Sequence, residues 1–288
     1  MPDSLEYRIL TLFEDATELF KQGLQSVTLP VPADRPAPEE DYVRLAVVML
    51  AFACYSAAET IRVLMRTNVT WHLPTMVRVQ FEAAVTASYI VSVHPKKARD
   101  FILLDSFDRL DLAREADLSA QRKAELEAEC RETSRLYPDL IKRLKNGAEI
   151  MAGKIAIDAK AMKAIRNKLD FPDVRAMMKE LEKKDAGFSG GLYTIVFRFG
   201  SLTAHPSIIS LRRIFNHFDG VSPTTPSLGL QEPGAPDYTL QGLSNVIGLG
   251  MILDRVAHLR PSEGRDDAWK SVRQRQEELV KELHATAR

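Results

Sequence analysis

Several side chains capable of chemistry lie in one apolar segment of the chain, YTIVFRFGSLTAHPS at residues 193–207. Arg198 and His205 are seven residues apart, nearly two helical turns, so a helix would place them on one side with Ser201 between them. Tyr193 lies somewhat off that line. A guanidinium can bind phosphate through two hydrogen bonds, and an imidazole can transfer a proton near neutral pH. The spacing therefore predicts a site for an anionic group.

A second pair of polar residues occurs earlier, in a helix predicted from about residue 74 to 93. Arg78 and Glu82 are four residues apart and share a helix face, although their neighbours are almost all apolar. Because a buried charge is costly unless a partner is supplied, the pair is either a structural salt bridge or a preorganised pair at a cleft. We expect its helix to pack beside the one carrying Tyr193 and Ser201, so that both sets line one cleft.

A plainer interpretation stays open, in which the same six polar residues form a buried network that only holds helices together. Other chemistries have little support in the sequence. Cys54 and Cys130 form no C-x-x-C motif, and no H-E-x-x-H or carboxylate-rich cluster is present. A Gly-rich phosphate loop is also missing, since residues 189–191 are too short to form one. We therefore expect no metal, no cofactor and no disulfide.

The hydrophobic pattern predicts an all-α protein, a multi-helix bundle. Period-2 alternation is rare, and the one segment that would also suit a strand, residues 192–199, is read as helical from its context. The first helix is predicted to be capped by Asp3, with Glu6 completing a capping box. Its apolar stripe comprises Leu5, Ile9, Leu12, Phe13, Ala16, Leu19, Phe20 and Leu24.

The domain organisation follows from the two Pro-rich stretches. We predict a single helical domain over residues 1–288. It comprises a linker at 27–40, a core with both motifs at 41–219, a Pro-rich loop at 220–237 and C-terminal helices at 238–288. The last helix is amphipathic and offers an extra apolar face. We therefore predict a homodimer.

Composition excludes few partners. The chain has 39 basic and 39 acidic residues among 288, so it has no overall attraction for nucleic acid or membranes. The most basic segment, residues 141–184, has 12 Lys or Arg against 6 Asp or Glu, and such runs are usually solvated helix faces. The longest apolar run, Leu45–Ala58, is shorter than the roughly 20 residues that span a bilayer. With no signal-peptide pattern at the N-terminus, the sequence predicts a cytoplasmic protein without a membrane segment.

The two motifs together resemble an uncharacterised, widespread bacterial all-helical family, a domain of unknown function. Its hallmarks are an R-x-x-x-E-A-A helix and a Tyr and a Ser ahead of His-Pro-Ser. The resemblance covers roughly residues 40–211. The matching positions are Arg78, Glu82, Tyr193, Ser201 and His205.

The spacing of Arg198 and His205 also resembles the R-x(4–6)-H pattern of HEPN domains. Those domains are helical, often dimeric, and often metal-independent ribonucleases of toxin and phage-defence systems. The resemblance implies an HEPN-like core with additional N- and C-terminal helices, and RNA or a nucleotide as ligand. Arg198 would stabilise the phosphate, and His205 would act as acid or base while the ribose 2′-OH attacks. The competing hypothesis is a non-catalytic helical scaffold or regulator.

Overall fold

A computed structural model describes residues 4–27, 38–67, 69–105, 119–134, 149, 169, 171–184, 235–257 and 263–286. All regular secondary structure in these ranges is helical, which confirms the all-α prediction. Residues 97–105 are helical, and a single 3-10 turn covers Thr70–His72. The α-helices are α1 (Leu5–Ser26), α2 (Glu39–Arg66), α3 (Leu73–Ser92), α4 (Ala120–Ser134), α5 (Val174–Lys184), α6 (Ala235–Ala257) and α7 (Glu263–Thr286).

The predicted start of α1 is wrong by one residue. Ser4, not Asp3, is the N-cap: its backbone is extended, and its Oγ accepts a hydrogen bond from the backbone N–H of Tyr7 at 3.3 Å. The third helical position is therefore Tyr7, so Glu6 cannot complete a capping box with the cap. Its carboxylate still lies in the first turn, where the helix dipole favours negative charge.

The chain divides into two compact units. The first comprises Met1–Leu29, Val47–Val93 and Val174–Arg288, and the second comprises Pro30–Ala46 and His94–Asp173. Helix α2 therefore contributes its first turns to the second unit and its remainder to the first. The predicted single domain, with its linker and loop boundaries, stays a prediction.

Helix α6 is the centre of the first unit. It packs against α1, α3 and α7, and α3 also packs against α5. The apolar stripe predicted for α1 is buried at Ile9, Leu12, Phe13, Ala16, Phe20 and Leu24. Helix α7 buries Trp269, Val272 and Leu279 and exposes its opposite side, so the prediction of an amphipathic C-terminal helix is confirmed.

A buried ion pair joins the C-terminal helices to α1. The carboxylate of Asp254, 4% exposed, accepts at Oδ2 from Nε of Arg265 at 2.9 Å and from the indole Nε1 of Trp269 at 2.8 Å. Arg265 also donates from Nη2 to the carbonyl oxygen of Leu19 at 3.0 Å. Gly250 is required here, because a Cβ atom at that position would lie 2.3 Å from the indole ring. Helices α1, α6 and α7 are thus held in register.

Within the second unit, contacts join the start of α2 to residues 97–105. The guanidinium of Arg99 lies over the ring of Tyr42, 4.3 Å from its centroid. Lys97 forms an ion pair with Asp100 at 3.0 Å and donates to the carbonyl oxygen of Leu169 at 2.6 Å. Burial raises the pKa of the Asp100 carboxyl, and the bond from Lys97 opposes that shift only in part.

Helix α2 is the described helix that is long and apolar enough to cross a membrane, judged by length and composition. In its most apolar window 44% of the residues are buried inside the protein, among them Val47, Ala51, Cys54 and Ala58. Core helices of soluble proteins have the same length and composition.

Candidate functional site

Helix α3 carries the first motif and ends as predicted. Pro74 occupies the first turn, where its missing N–H costs no hydrogen bond, and the helix ends at Ser92, just before His94 and Pro95. Buried residues on α3 include Leu73, Val77 and Phe81, and most of the helix beyond them is also enclosed. The motif is therefore built on a helix most of whose residues are buried.

Arg78 and Glu82 form an ion pair within this helix. Nε of Arg78 donates to Oε1 of Glu82 at 2.7 Å, and the two side chains are 23% and 36% exposed. Val79, next to Arg78, is also exposed. The pair therefore lies on the side of α3 that reaches solvent, and not in the core. A guanidinium oriented by a carboxylate at such a position can contact an anionic ligand without opening the bundle.

The backbone next to the pair contacts α6. The side chain of Asn245 is buried and donates from Nδ2 to the carbonyl oxygen of Val77 at 3.4 Å, one residue before Arg78. This contact connects the site to the central helix of the unit.

Sequence reasoning missed Gln80, which points the opposite way from the pair. Its side chain is fully buried, and neither Nε2 nor Oε1 has a hydrogen-bond partner among the described residues. A Cβ atom at Gly242 of α6 would lie 2.8 Å from Oε1, so this glycine leaves room for the amide. The signal was available, because Gln80 follows Leu73 and Val77 at helical spacing and so belongs to the buried stripe.

The second motif lies outside the described residues. It comprises Tyr193, Arg198, Ser201 and His205, so the proximity of these residues to the pair on α3 stays a prediction.

The described histidines, His72, His94 and His284, are exposed. Within the described ranges no three His, Cys, Asp or Glu side chains come together as a metal site. Cys54 is buried, and burial raises the pKa of its thiol well above the ordinary value.

Helix α5 is the described end of the basic segment. Its apolar face, Met177, Met178 and Leu181, is buried, since α5 packs against α3. Nζ of Lys184 donates to the carbonyl oxygen of Ser92 at 2.6 Å, which places the carboxyl ends of α5 and α3 side by side. Opposite the buried face, exposed cations follow one another at four-residue intervals, namely Arg175, Lys179 and Lys183.

Comparison with known proteins identifies a family but no activity. The family model described as "Family of unknown function (DUF5677)" matches residues 44–222, more than half of the chain. That range contains all the motif residues in α3 and in the segment at 193–207. No curated protein and no solved structure matches the chain. The predicted resemblance to an uncharacterised family is confirmed: the chain belongs to DUF5677, a family of unknown function.

Proposed function

We propose that this protein is an HEPN-like, metal-independent ribonuclease or RNA- or nucleotide-binding protein that works as a cytoplasmic homodimer, of the kind found in toxin and phage-defence systems. Arg198 and His205 are the catalytic residues of this proposal. Arg78, Glu82, Tyr193 and Ser201 support the site.

The proposed reaction needs no group beyond RNA and these side chains. The ribose 2′-oxygen attacks the adjacent phosphorus, and the bond from phosphorus to the 5′-oxygen of the next nucleotide breaks. His205 accepts the 2′-OH proton or donates one to the departing oxygen, and a water completes the other transfer. Arg198 stabilises the negative charge that accumulates on the phosphate oxygens. The products are a 2′,3′-cyclic phosphate and a free 5′-OH.

The observation that carries the proposal is the partly exposed Arg78–Glu82 pair within the range that defines the family. Solvent reaches both side chains of this pair, so a ligand could contact the guanidinium of Arg78, and an ion pair in such a setting contributes little to stability. The exposed cations of α5, a helix packed on α3, add positive charge to the same unit. Cations of this kind supply the sequence-independent part of RNA binding.

The scaffold alternative rests on a different observation. Arg78 donates to a carboxylate of its own helix, an arrangement that requires no ligand. Other polar side chains in the first unit, such as Asn245 and Gln276, clearly act as structural links between helices. A regulator or scaffold would use the motif residues in the same way.

Single-stranded RNA cleavage in the presence of EDTA tests the proposal. We expect the wild type to release fragments with cyclic phosphate ends, and Arg78→Gln to weaken RNA binding several-fold. Arg62→Gln is the matched control, because Arg62 forms a similar partly buried pair with Glu59 on α2. Absence of both cleavage and binding by the wild type would overturn the proposal in favour of the scaffold.

A further inference from the structure

We draw no further inference here: the strongest candidate, the line of exposed cations Arg175, Lys179 and Lys183 on α5, is flanked by the half-buried Glu180 and Glu182 of the same helix and already belongs to the proposed RNA-binding charge, and nothing in the described part of the structure shows what else binds to it.

Discussion

The guanidinium of Arg78 donates through Nε to the carboxylate of Glu82, one turn later on the same helix, at 2.7 Å. Both side chains are partly exposed, whereas Gln80 between them is fully buried. Helix α3 thus separates two tasks by face: apolar residues and Gln80 hold the bundle together, and the ion pair remains accessible. Stability and ligand binding should therefore respond to different substitutions on this one helix.

The ion pair itself should contribute little to folding. Arg78→Gln and Glu82→Gln are each expected to lower the free energy of unfolding by about 1 kcal/mol or less, because the pair is partly exposed and arginine precedes glutamate. Urea denaturation of both variants measures this. A loss of roughly 3–5 kcal/mol would instead be the behaviour of a buried structural network.

Replacing Gln80 with methionine should stabilise the protein by about 1–3 kcal/mol, because the fully buried amide has no partner among the described residues. Thermal and urea unfolding provide the measurement. Gln276→Met is the matched control, since Gln276 is also buried but donates at 2.9 Å to Leu240 and at 2.6 Å to Ser244. That variant should be destabilised. If both variants lose stability equally, the amide of Gln80 has a partner in solution.

Loss of the buried carboxylate at Asp254 should be severe. Asp254→Ala leaves Arg265 without its 2.9 Å ion-pair partner and the Trp269 indole without its acceptor, so we expect a loss of about 3–5 kcal/mol. Asp267→Ala breaks the exposed pair with Lys270 and should change the free energy of unfolding by less than about 1 kcal/mol. Equal effects in calorimetry would contradict the assigned role.

The contribution of Asp100 to the free energy of unfolding should decrease as the pH rises. Burial raises the pKa of this carboxyl in the native state, so the native state holds its proton more tightly than the unfolded chain does. The resulting stabilisation is complete below the ordinary value, about 3.9, and is lost as the pH rises through the raised native value. Asp100→Asn should therefore gain stability relative to the wild type across that range, measured by denaturation at stepped pH. If the free energy of unfolding of the wild type instead increased relative to that of the variant as the pH rises, the raised pKa of Asp100 would be contradicted.

Helix positions were predictable because their signals are local. The stripe of α1 and the end of α3 near residue 93 both follow from periodicity and from the residues that flank the helix. Ser4 and Asp3 are both good caps, and only the backbone geometry determines which one is used.

Pairings between distant helices were not predictable in this way. Nothing in the local sequence indicates that Asp254 meets Arg265 and Trp269, or that Gly242 faces Gln80, since these contacts depend on how α6 packs on three other helices. Of the site, the Arg78–Glu82 pair was predictable from its four-residue spacing. The partial exposure of the pair was not predictable, because apolar neighbours nearly all round the helix indicate a buried helix.

The most direct test of the proposed function compares RNA cleavage and thermal melting for the same three proteins, without added metal and with EDTA. The wild type should cleave single-stranded RNA. His205→Ala and Arg198→Ala should each lose about 10²–10⁴-fold in rate, because they remove the proton carrier and the phosphate-stabilising charge. Both variants should melt close to the wild type. If the wild type cleaves no RNA and both variants have much lower melting temperatures, these residues are structural and the ribonuclease proposal is contradicted.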